Sequence, residues 1–163
     1  ARILYLATHG IATPDRPLDS HLLLAETDPQ ATPADGYLTV RELLLRSLDT
    51  TQPQIAPDLA VLSACVTALS EKNPMYGDDL ASLSRALLAS GCQQVIGTLW
   101  DAHDETYAKL MPAMLSQVAE GTRPSVALWQ AQREHLKTLK QEPRISPLAA
   151  PFFWASASAF SRL

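Results

Sequence analysis

Nothing in this 163-residue chain approaches the roughly 20 consecutive apolar residues that cross a bilayer, so a membrane span is not expected. Cysteine is scarce. Cys65 and Cys92 are too few for a disulfide scaffold, and a reducing cytoplasm is the expected compartment. Lys and Arg total 13 against 17 Asp and Glu, a net charge of -4, and no basic run occurs, so a nucleic-acid surface is not expected either. The six glycines are scattered and build no phosphate-cradling loop, which argues against a nucleotide-binding enzyme on a doubly wound sheet. No His or Cys pair has zinc-ligand spacing; neither a metal nor a cofactor is expected.

Hydrophobic residues make up 47% of the chain and charged residues 18%, enough apolar surface for one core in one domain over 1–163. Ile3 to Ala7 reads as a buried strand ending in a sharp loop at Thr8-His9-Gly10. Because the chain opens at Ala1 directly into that strand, further sequence is expected upstream. His21 to Ala25 reads as a second short strand, and 26–36 as a polar loop. Thr39 and Glu42 have capping-box spacing for a helix to about Ser47.

Leu59 to Ala64 is the next buried strand, delivering Cys65 to a loop over 66–77. Asp78 or Asp79 can cap a helix with Leu80, Leu83, Leu87 and Leu88 on one face, stopped by Gly91. Gln94 to Trp100 is another strand. A helix after Asp104 carries Pro112, implying a kink or a late start, and Pro124 opens a helix to about Lys140 with Val126, Trp129, Leu136 and Leu139 inward. Phe152 to Phe160 reads as a terminal strand. Short strands alternating with amphipathic helices predict an α/β fold, a mostly parallel sheet with helices on both faces.

In such sheets, reactive groups gather at the carboxyl ends of the strands. His9 and Cys65 both occupy such ends. A thiol cleaves amides as its thiolate, and a neighbouring imidazole stabilises that state and later protonates the leaving amine. Gly10 admits a substrate carbonyl, and its amide, with that of Cys65, is a candidate oxyanion hole. Taken singly, Cys65 reads more readily as a buried structural cysteine, and the plainer reading of His9 is a capped, hydrogen-bonded loop histidine. The two stand or fall together.

The runs Leu-Ala-Thr-His9-Gly10, Leu-Ser-Ala-Cys65-Val-Thr67, Ser84 to Gly91, Val95 to Trp100 and Pro151 to Ala155 resemble the successive blocks of the CHAT domain, in order. That is a caspase-like family often fused to tetratricopeptide repeats in bacteria. The resemblance is to the later part of the domain and implies a caspase-like three-layer sandwich, with upstream strands lacking. It also implies a Cys65/His9 endopeptidase acting on a protein or peptide substrate. Peptidases of this group stay silent until a regulatory protein or fused repeat domain orders the loops around the cysteine, and neither nucleic acid nor membrane would be a partner. Separase, of the same clan, has a block similar to Leu99-Trp100-Asp101-Ala102-His103-Asp104 and cuts after arginine.

Asp101 and Asp104 are thus candidates to line the first specificity pocket and select Arg or Lys. The plainer reading makes Asp104 an N-cap and Asp101 a loop residue. The family usually has an acidic residue directly after the cysteine and a glycine two places on; Val66 and Ala68 stand there. Those two residues support the alternative, a catalytically degenerate module for protein–protein interaction or signalling. Cys92 reads as structural, His21 as a core-edge or surface residue, His135 as solvated on a charged helical face, and Trp100, Trp129 and Trp154 as core or pocket walls.

Overall fold

The computed structural model describes residues 2–11, 13, 15–25, 36–49, 51, 56–66, 77–141 and 146–162, the side chains of 64–66 and 77–82 excepted. The expected loop segments 26–35 and 67–76, with Thr67 and Ala68, lie outside these residues. Six strands form one sheet: β1 (Ile3–Ile11), β2 (His21–Leu23), β3 (Tyr37–Thr39), β4 (Leu59–Val66), β5 (Gln94–Thr98) and β6 (Ala157–Ser161), in the order β3-β2-β1-β4-β5-β6. The helices are α1 (Val40–Leu48), α2 (Gly77–Ala89), α3 (Asp104–Ala119), α4 (Pro124–Lys140) and the single turn α5 (Pro151–Trp154).

The expected parallel order holds for the three central strands, β1, β4 and β5. The outer strands β2, β3 and β6 run antiparallel to their neighbours, which makes the sheet mixed. Connection length explains both margins. Residues 12–20 between β1 and β2 are too few for a parallel crossover, which needs a dozen or more. On the other side, α3 and α4 carry the chain away and back, so it re-enters β6 from the end at which β5 left.

Strand alternation divides the core in two. Leu59 and Val61 of β4 join Ile96 of β5, Ala157 of β6 and the α3–α4 residues Leu110, Met111, Met114, Ala127 and Leu128. Ala60 and Leu62 face the other way and join Leu22, Val95, Val40 and Leu43 of α1, and Leu83, Ala86 and Leu87 of α2. Helices therefore cover both faces, and the architecture is an α/β sandwich.

Local chemistry sets the helix ends. Thr39 accepts from the Glu42 amide at 3.0 Å while Glu42 accepts from the Thr39 amide at 2.8 Å, the expected capping box. After α2, Gly91 at φ 101° closes a Schellman motif: its amide bonds the Leu88 carbonyl, and the Cys92 amide bonds Leu87. Gly121 at φ 95° does the same for α3. Helix α3 starts at Asp104 and runs through Pro112, so there is no late start; the proline omits one rung.

Three expectations need correction. Residues 151–154 form a helical turn opened by Pro151, and β6 starts only at Ala157. The buried stripe of α4 is Ala127, Leu128, Ala131 and Leu139; Val126 and Trp129 face outward. Finally, β1 and β4 do not stop before the candidate residues. They continue to Ile11 and Val66, β-branched residues that suit the ladder and keep pairing there.

Candidate active site

The parallel register of β1 and β4 runs from Ile3 opposite Leu59 to Gly10 opposite Val66, and it sets His9 opposite Cys65. Adjacent strands lie about 4.8 Å apart and directly opposed residues share a face. The backbone alone thus brings the two residues into one row near the carboxyl ends of neighbouring strands. His9 is exposed. One position back, Thr8 donates its hydroxyl to the Leu23 carbonyl, tying β1 to β2 beside it.

Gly10 is buried within the ladder, opposite Leu22 on one side and Val66 on the other, rather than in a loop after the strand. The lack of a side chain suits that close approach.

The chain leaving β5 forms the neighbouring wall. Leu59 stands opposite Gln94 and Leu62 opposite Gly97, where the β4–β5 pairing ends; β5 itself ends at Thr98. The loop is pinned to the C-terminal segment. The Leu99 amide donates to the Ser156 carbonyl at 2.8 Å, and Trp100 Nε1 donates to the Phe152 carbonyl at 2.8 Å. The His103 ring sits edge-on to Phe153 at 5.1 Å, and its Nδ1 shares a 3.0 Å hydrogen bond with Thr106 Oγ1. Below them the hydroxyls of Tyr107 and Ser156 are hydrogen-bonded and buried.

Asp101, in this loop, is half-buried, and its Oδ1 is enclosed with no hydrogen-bond partner among the described residues. An enclosed carboxylate oxygen without a partner costs roughly 1–3 kcal/mol or more, so the position suits an incoming donor. Asp104 differs. It is exposed and is the first residue of α3; the N-cap is His103 rather than Asp104. At that place Asp104 and Glu105 favour the positive end of the helix dipole. The two aspartates are therefore not equivalent. Asp101 has an enclosed carboxylate oxygen, and Asp104 is exposed at the start of α3.

Cys92 is fully buried, and its thiol donates to the Gln94 carbonyl at 3.0 Å. Burial pushes its pKa above the ordinary 9.0, which fits the structural role expected of it. Asp78 and Asp79 fall in the first turn of α2, their side chains outside the description. His135, expected to be solvated, is a correction: its Nε2 is enclosed without a hydrogen-bond partner among the described residues, because that side of α4 packs toward Lys109 and Glu105 of α3. Trp129 is exposed, with the Arg133 guanidinium 5.2 Å from its ring centre, whereas Trp100 and Trp154 are half-buried walls.

Sequence reasoning passed over two residues near the row. His21 on β2, read as merely core-edge or surface, donates Nδ1–H to the Asp19 carbonyl at 2.8 Å and meets the Tyr37 ring edge-on at 4.6 Å. The alternation of Ile3, Tyr5, Ala7, His9 and Ile11 was the available signal that β1 shows one face to something other than the helices.

Among the described residues, no helix is long and apolar enough to cross a membrane, and no three His, Cys, Asp or Glu residues gather as metal ligands. A comparison with curated proteins gave no match. The family model of the CHAT domain matches residues 1–162. With the expected blocks in place along an α/β sandwich, the chain belongs to the CHAT domain family, a group of caspase-like, protease-related domains.

Proposed function

We propose that this chain is a cysteine endopeptidase module with a caspase-like fold, in which Cys65 is the nucleophile and His9 its acid–base partner. The observation that carries the reading is the register pairing of His9 with Cys65. The Cys65 thiolate attacks the scissile carbonyl, and the developing oxyanion is held by the amides of Gly10 and Cys65. As the C–N bond breaks, the His9 imidazolium protonates the leaving amine. Water, deprotonated by His9, then hydrolyses the thioester and restores the thiol.

Asp101, with Asp104 at the rim, takes an Arg or Lys side chain at the first position. The buried, unpartnered Oδ1 of Asp101 supports that preference, since a guanidinium or ammonium would satisfy it. The substrate is a protein or peptide in the cytoplasm, and a regulatory protein or fused repeat domain controls access. Gly10 can serve the oxyanion only if the pairing beyond His9 opens, because it lies between Leu22 and Val66 in the ladder. That requirement gives a regulator something to act upon.

The same placement of Gly10, with Val66 after the cysteine, favours a second reading: a degenerate module that binds a partner without cutting. Cys65→Ala separates the two. Loss of cleavage of Arg- or Lys-containing peptides with an unchanged melting temperature supports the peptidase. Cleavage that persists in the variant removes Cys65 from the chemistry.

A further inference from the structure

The strand residues of the core beneath α3 and α4 come from β4, β5 and β6: Leu59, Val61, Ile96 and Ala157. On the opposite face, burial continues across β1, β2 and β3, through Leu4, Leu6, Leu22 and Leu38. Among the described residues, half of one sheet face is therefore uncovered by the helices. Its exposed apolar and aromatic members include Tyr5 at 41%, Ile11 at 38% and Tyr37 at 46%. The registers place them on the same face as His9, since Ile11 opposes His21, and Leu23 opposes Tyr37.

The order of groups across the sheet gives that face a direction. From one side to the other come the Asp101 loop after β5, Cys65 on β4, His9 on β1, then His21 on β2 and Tyr37 on β3. If Cys65 is acylated and His9 protonates the departing amine, the acyl portion of the substrate lies toward β5 and the leaving portion lies over β2 and β3. This step rests on the peptidase reading above. Strands are about 4.8 Å apart and an extended peptide advances about 3.3 Å per residue, so β2 lies about 10 Å from the Cys65 strand, roughly three residues along. His21 is held by its bond to Asp19 and packs against Tyr37 at 69°, which makes the pair a fixed wall rather than a mobile side-chain surface.

We infer that Ile11, His21 and Tyr37 form a leaving-side subsite that selects peptides with a large apolar side chain at the second or third residue after the scissile bond. The occupant is the substrate's own downstream segment, laid along the open half of the sheet.

The test is fluorescence polarisation with the full-length Cys65→Ala protein, which binds peptides without turning them over. Fluorescein peptides carry Arg before the scissile bond and either Leu, Phe or Gly at the second and third places after it. The expected result is about tenfold tighter binding of the Leu and Phe peptides. That preference falls to under about twofold on adding Tyr37→Ala or, independently, Ile11→Ala, and it survives in Tyr37→Phe. Equal affinity for Gly and Leu peptides, or a preference that survives both alanine variants, overturns the subsite. A dimer in sedimentation that Tyr37→Ala dissociates would assign the face to a second copy and overturn it too. The two readings fail separately. A wild-type protein that cuts peptides without regard to the downstream residues keeps the peptidase and loses the subsite. One that binds with the Tyr37-dependent preference but never cuts overturns the peptidase and leaves the face as a peptide-binding surface without a leaving side.

Discussion

Trp100 donates its indole N–H to the carbonyl of Phe152 at 2.8 Å, across 52 residues of chain. This bond, with that of Leu99 to Ser156, holds the loop after β5 against the C-terminal segment, and Asp101 follows immediately. Trp100→Phe keeps most of the ring and deletes the donor. A net hydrogen bond of about 1 kcal/mol corresponds to a fall in melting temperature of roughly 2–4 °C for a domain this size. Under the peptidase proposal the variant also raises KM for Arg peptides more than it lowers kcat, because the wall beside Asp101 loosens. Calorimetry and steady-state kinetics read the two effects.

Met114 is fully buried where α3 meets the sheet. Met114→Ala removes its volume from a packed site and should destabilise the chain by about 2–5 kcal/mol. In urea the midpoint falls while the slope is unchanged, which distinguishes a cavity from a change in the unfolded state. A cost near zero would mean that the α3–sheet contact is not a tight core.

The Thr39 capping box joins β3 directly to α1. Thr39→Ala leaves the Glu42 amide without its acceptor and should cost about 0.5–2 kcal/mol. Thr39→Ser should recover most of it. The comparison by thermal melting isolates the hydroxyl from the methyl group.

Burial, and then the charge of Lys109, hold the His135 pKa below its ordinary 6.5. A base with a depressed folded pKa binds its proton more readily when unfolded, so its contribution to stability is present above pH 6.5 and is lost as pH falls through the lower folded value. Stability should therefore decline on acidification below about pH 6.5, and His135→Gln should flatten that part of the curve. Cys92 acts at the other end. Its folded pKa is raised above 9.0, so its contribution is present below pH 9 and is lost as pH rises further. Cys92→Ala should flatten the alkaline limb. Denaturant midpoints from pH 5 to 10 check both.

Short-range chemistry was legible in the residues. Thr39 with Glu42, Pro124 and Gly91 marked helix ends that the chain obeys. Strand direction was not legible, because antiparallel pairing of β2 and β6 is decided by connection geometry rather than by local pattern. Tyr37-Leu38-Thr39 is too short to show a period, and β3 was unseen. On α4 the large residues Val126 and Trp129 suggested the wrong face, since small alanines, Ala127 and Ala131, fill the close contact with α3 and the sheet. At the candidate site, the strand assignments already brought His9 and Cys65 toward one edge. Their common register was not visible, nor was the difference between the enclosed Asp101 and the exposed Asp104, because both depend on contacts distant in sequence.

Proton sharing between an imidazole and a thiol has a direct signature in alkylation kinetics. The rate of iodoacetamide modification of Cys65 and Cys92 should be followed by peptide mass spectrometry from pH 5 to 9, in the wild type and in His9→Ala. Sharing predicts that Cys65 reacts at least tenfold faster than the buried Cys92 at pH 6.5, and that His9→Ala slows Cys65 about tenfold there while leaving Cys92 unchanged. Slow, equal modification of both thiols, indifferent to His9, would contradict it.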